Sequence, residues 1–145
     1  MAGSSIAAGL NALTSMQDVE QLRAFEGLLK RLTPTDLTKE EYLALLAIFE
    51  RFPDDDAHGG FWSVIHILEE SRKHERLLVE SAQRIPTEFN LRMISRLLNG
   101  GIRKVDDVDL LALLKHVVDS PGTSATAKTW ASDFINQAPT NAVDA

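Results

Sequence analysis

Residues 53–99 read PDDDAHGGFWSVIHILEESRKHERLLVESAQRIPTEFNLRMISRLLN, and the breaks in this stretch decide the fold. Asp54-Asp55-Asp56-Ala57-His58-Gly59-Gly60 is a polar turn with little that can be buried. A helix follows from near Phe61 to about Glu70, with Phe61, Trp62, Ile65 and Leu68 as its apolar face. Ser71 to His74 reads as a tight polar corner. The next helix carries Leu77, Leu78 and Ala82 and stops at Pro86, because the residue before a proline is pushed out of the helical region. Thr87 or Asn90 caps a further helix bearing Leu91, Ile94, Leu97 and Leu98. Asn99-Gly100-Gly101 ends it with residues that tolerate a left-handed backbone.

The same reading extends outward. Before the stretch, Val19, Leu22, Phe25, Leu29 and Leu32 recur at three and four residues, which predicts a helix from about Met16 to Leu32 capped by Ser15. Thr38-Lys39-Glu40-Glu41 is a capping box that opens a helix from Tyr42 to Phe52. After the stretch, Asp106 is the expected cap of a helix with Val108, Leu111, Leu114 and Val118 inside. Ser124 caps a last one, Ala125 to Gln137, with Trp130 and Phe134 inside. Nothing alternates at period two between hairpin turns, so no sheet is expected. The fold class is all-α: six to seven short helices as an irregular HEAT-like solenoid or a compact antiparallel bundle. Residues 1–14 are expected as a partly ordered arm, because Gly3 and Gly9 weaken the helix that Ile6, Leu10 and Leu13 suggest. Residues 15–137 form the single domain and 138–145 a tail.

Composition bounds the function. The chain has 145 residues, enough to bury roughly 70% of its unfolded surface in one core without staples. It has no cysteine, which excludes disulfides and thiolate metal sites. A net charge of −6 disfavours nucleic acid and anionic membrane and favours a basic protein partner. No apolar run approaches the ~20 residues that cross a bilayer, and the N-terminus lacks the basic residues of a secretory signal. A cytoplasmic location is the expectation.

No constellation carries catalysis or a cofactor. His66, Glu70 and His74 fall at i, i+4 and i+8, but the corner at Ser71 separates the last, so no metal site is expected. Asp54 opens a calcium-like run with Gly59 at its sixth position, yet the twelfth is Ile65 instead of glutamate. Ser63 lacks a nucleophile's surroundings, and Gly100-Gly101 lacks the lysine of a phosphate loop. The structural reading of His66 is a buried polar cluster with Glu69 and Arg96. Two charged groups are candidates for partner binding: Asp54, Asp55, Asp56 and His58 on the turn, and Glu69, Glu70, Arg72, His74 and Glu75 at the corner.

Phe61-Trp62-Ser63-Val64-Ile65-His66-Ile67-Leu68-Glu69, then Ser81, Arg84-Ile85-Pro86 and Arg96-Leu97-Leu98-Asn99, resembles the all-α immunity proteins of bacterial polymorphic-toxin and contact-dependent inhibition systems. The likeness runs from about Tyr42 to Ile135 and fails over Asn99 to Asp107. It implies a non-enzymatic protein that binds the C-terminal domain of a cognate toxin, a basic nuclease among the expected kinds, and protects the producer and its siblings. The alternative is a HEAT-like protein–protein adaptor with no toxin partner.

Overall fold

The structure, a computed structural model, describes residues 2–139. Helix makes up 72% of it, and the one sheet among the described residues is a two-stranded hairpin, so the fold is all-α. Two compact units divide the chain, Met1–Leu77 and Leu78–Ala145.

The first unit contains α1 (Ala2–Ala12), α2 (Val19–Arg31), α3 (Lys39–Arg51), α4 (Gly60–Ser71) and the start of α5 (Glu75–Arg84), with 3-10 turns at Pro34–Asp36 and Ala57–Gly59. The expected loose arm is instead α1, packed chiefly on α3 and also on α2. Ile6, Ala7, Leu10 and Leu13 bury one side of it. Gly9, which counted against a helix, is there for packing: a Cβ on it would lie 3.0 Å from a Leu28 methyl of α2. The Arg51 guanidinium of α3 donates to the Leu10 carbonyl in the last turn of α1 and to the Leu13 carbonyl just beyond it. α2 begins later than its periodicity suggested. Its cap is Asp18, whose carboxylate accepts from the Gln21 amide at 3.1 Å, while Ser15 Oγ accepts from the amides of Gln17 and Asp18 one turn upstream. The capping box of α3 forms as expected, with Thr38 Oγ1 and Glu41 Oε1 each accepting from the other's amide.

Three rings join this unit. Phe25 of α2, Phe49 of α3 and Phe61 of α4 are each fully buried. Phe61 meets Phe49 edge-on at 5.3 Å between centroids and Phe25 at 6.3 Å, the geometry that ring quadrupoles favour. They fix the base of α4, and with it the direction in which its outer face points.

The second unit contains the rest of α5, α6 (Glu88–Asn99), strands β1 (Lys104–Val105) and β2 (Val108–Asp109), α7 (Leu110–Asp119) and α8 (Ala125–Gln137). α8 packs on both α6 and α7. Thr87 caps α6, and the fully buried Asn90 spends its amide on Ser81 Oγ and the Ile85 carbonyl. The glycine pair ends α6 as expected, with Gly101 left-handed at φ 92°. The hairpin was not expected. Its strands are two residues long, too short to show alternation, and Lys104 pairs with Asp109. Asp106 is therefore a turn residue at φ 52°, and the cap of α7 is Asp109, whose side chain accepts from the Ala112 amide at 2.9 Å. That bond, with Arg103 3.2 Å away, holds the Asp109 carboxyl below its ordinary range. Residues 140–145 of the expected tail lie outside the described residues. No helix among those described is long and apolar enough to cross a membrane.

Candidate binding face on the fourth helix

α4 divides cleanly by face. Phe61, Val64, Ile65 and Leu68 are buried, and Trp62, Ser63, His66 and Glu70 are exposed on the opposite side. Two expectations change here. Trp62 is 38% exposed and so is not a core residue. The reason is angular: at about 100° per residue, Trp62 falls outside the arc that Phe61, Val64, Ile65 and Leu68 share. His66 is likewise exposed, so it is not the buried polar residue expected. Its ring lies against Trp62, 6.4 Å between centroids at an interplanar angle of 33°, one helical turn along. Glu69 is half-buried, and Arg96, on α6 of the second unit, is exposed.

The acidic turn lies just before this face. Asp54, Asp56 and His58 are exposed; Asp55 is half-buried and accepts from the Gln17 side-chain amide. Asp56 folds the turn, its carboxylate accepting from the His58 amide at 3.0 Å. Ala57, His58 and Gly59 then run left-handed in succession, at φ 53°, 53° and 91°. Only the glycine adopts this conformation without strain. Beside the run is an open cavity of about 430 Å³ lined by Glu26, Lys30, His58 and Ser63 over Leu29 and Ile67. Sequence reasoning missed Glu26 and Lys30, because they come from α2, remote in the chain.

The corner at the other end of α4 also departs from expectation. Arg72 turns the chain at φ 61°, and Glu70, Arg72, Lys73 and Arg76 are exposed. Glu75 is half-buried. His74, a candidate partner contact, is only 4% exposed and points inward, so it offers no surface to a partner. Burial lowers its pKa, against the opposing fields of Glu75 and then Glu69. The structure thus brings Glu69, His74 and Glu75 together, with His66 and Trp62 one and two turns back along α4.

Trp130, the other tryptophan expected inside, is half-buried. It stacks on Phe134 at 5.7 Å, and the Arg92 guanidinium lies 4.8 Å above its ring, joining α6 to α8. Among the described residues, no group of three or more His, Asp or Glu side chains is placed to hold a metal. No family model, curated protein or solved structure matches the chain, so the likeness to immunity proteins rests on its own residue pattern.

Proposed function

We propose that this chain acts by binding, and that its partner is a toxin domain which it neutralises as an immunity protein. The observation that carries the binding reading is the Trp62–His66 pair, exposed on α4 between an acidic turn and a charged corner. An exposed tryptophan supplies large apolar area at small cost in side-chain freedom, and tryptophan is enriched among the residues that dominate interface energies. Asp54, Asp56 and Glu70 are exposed around it and favour a basic surface opposite. The cavity beside His58 has room for a protruding side chain of the partner. The step from binding to toxin neutralisation is carried by the order of residues from Phe61 to Asn99 and by that acidic surround. Neutralisation then takes one of two forms: acidic side chains fill a nuclease active site in place of phosphates, or they hold a neighbouring surface and keep substrate away.

The test is co-purification with any toxin domain found to be encoded beside this gene. Exchange of both Asp54 and Glu70 for lysine is expected to weaken that complex at least tenfold and to flatten its salt dependence, with the fold retained. Trp62→Ala is expected to weaken it more. A toxin domain that fails to co-purify defeats the immunity reading. A complex indifferent to all three changes defeats the proposed face.

A further inference from the structure

α4 closes at Ser71, Arg72 turns left-handed, and helix resumes at Glu75. His74 is the one residue of this short corner that is buried, and neither of its ring nitrogens has a hydrogen-bond partner among the described residues. A buried polar group normally finds a partner, and one without calls for a reason. The surroundings supply it. Glu75 follows the ring on α5 and Glu69 precedes it on α4, the stronger and the weaker of two fields that favour a proton. Burial opposes both and prevails, so the ring is held neutral. Charged groups on the elements packed against α4 differ in exposure, and Glu41 of α3 is buried. Arg72, Lys73 and Arg76 are exposed, as are Asp36 on the turn packed against α4 and Glu26 and Lys30 on α2; Glu50 of α3 is half-buried.

We propose that the α4–α5 corner is a proton-operated latch, shut while His74 is buried and opened when its ring leaves the interior to pair with Glu69 and Glu75. The sign follows from where the proton binds better. In the shut corner, burial keeps proton affinity below the ordinary histidine value of 6.5. In the open corner the ring is hydrated beside two carboxylates, and its affinity is at least ordinary. The open form binds the extra proton, so each unit of pH lost below that value favours it by up to ~10-fold. The effect ends once the pH falls below the lowered pKa of the shut form. Because Glu70 and Arg72 flank the corner on its exposed side, opening rearranges part of the face described above. The latch itself is a property of the isolated chain and does not depend on any partner.

The experiment is a histidine-ring NMR titration of the wild-type protein, together with hydrogen exchange of the amides from Arg72 to Leu78, corrected for intrinsic rates. His74 is expected to titrate below the ordinary histidine value of 6.5, and corner exchange to rise up to ~10-fold per unit as the pH falls from 6.5. His74→Leu is expected to hold the corner shut and remove that dependence. Glu69→Gln with Glu75→Gln is expected to move opening to lower pH. If His74 titrates at or above 6.5, or corner exchange is flat across the range, the latch is refuted. The wild-type titration decides the matter even if the leucine variant does not fold.

Discussion

Phe61 and Trp62 are neighbours in the chain and opposites in the structure. Phe61 is fully buried between Phe25 and Phe49, and Trp62 is 38% exposed. Both are large aromatics in the first turn of one helix, so residue type does not separate them. The angle around α4 does: the arc through Phe61, Val64, Ile65 and Leu68 points inward, and Trp62 lies outside it. The inward side holds the first unit together. The outward side carries Trp62 against His66, both exposed.

The strongest way to break this contrast is to truncate its inner member. Phe61→Ala is expected to cost about 3–5 kcal/mol, because a buried ring is lost and two edge-on partners face the cavity left behind. Urea unfolding gives the value, as a shift in midpoint at unchanged slope. A cost below about 1 kcal/mol would mean that the three rings do not organise the unit.

A smaller effect tests how tightly the rings are set. Gly60 has ordinary helical angles, φ −63° and ψ −27°, so alanine fits its backbone. An added Cβ, however, would stand 2.9 Å from the Phe25 ring and 3.3 Å from the Ala57 Cβ. The Phe25 ring is enclosed and edge-on to Phe61, with little room to yield. Gly60→Ala is therefore expected to destabilise by about 1–2 kcal/mol, the overpacking cost reduced by alanine's better helix propensity. A neutral or stabilising result in the same urea assay would show that Phe25 can move aside.

These contrasts also show what the sequence could tell. Punctuation was legible, because caps and breakers act locally. Thr38 with Glu41, Pro53, Pro86, Gly100-Gly101 and Ser124 all mark the ends that the structure has. Packing was not, because it depends on remote residues. Gly9 disfavours a helix locally, and the Leu28 side chain that packs beside it is remote in the chain. Asp106 was the expected cap of α7, and Asp109 takes that place because of a hairpin too short to leave a pattern. The candidate face divides in the same way. The acidic turn was recognisable as a solvated segment, but Glu26 and Lys30 reach its cavity from another helix. His74 was hidden by its company: Arg72, Lys73 and Glu75 make the corner look wholly solvated, and one ring within it is buried.

The smallest stability effect belongs to Trp62, and it sharpens the contrast most. An indole that is 38% exposed still has more than half its surface covered, part of it by His66 one turn away. Trp62→Ala is thus not free. Its cost is expected at about 1–1.5 kcal/mol, below the 3–5 kcal/mol typical of a large aromatic removed from a core, because no enclosed cavity remains where water already reaches. Trp62→Leu restores part of the covered apolar area and should recover about half of that loss. Urea midpoints for the two variants, read beside Phe61→Ala, place the three in one order. If Trp62→Ala costs as much as Phe61→Ala, the indole is a structural post and the outward face loses its claim to be a contact surface. If the cost is small and the leucine variant recovers stability while losing partner affinity, the indole is retained for the partner. That split between stability and affinity is what a merely structural tryptophan cannot produce, since leucine would then restore both together.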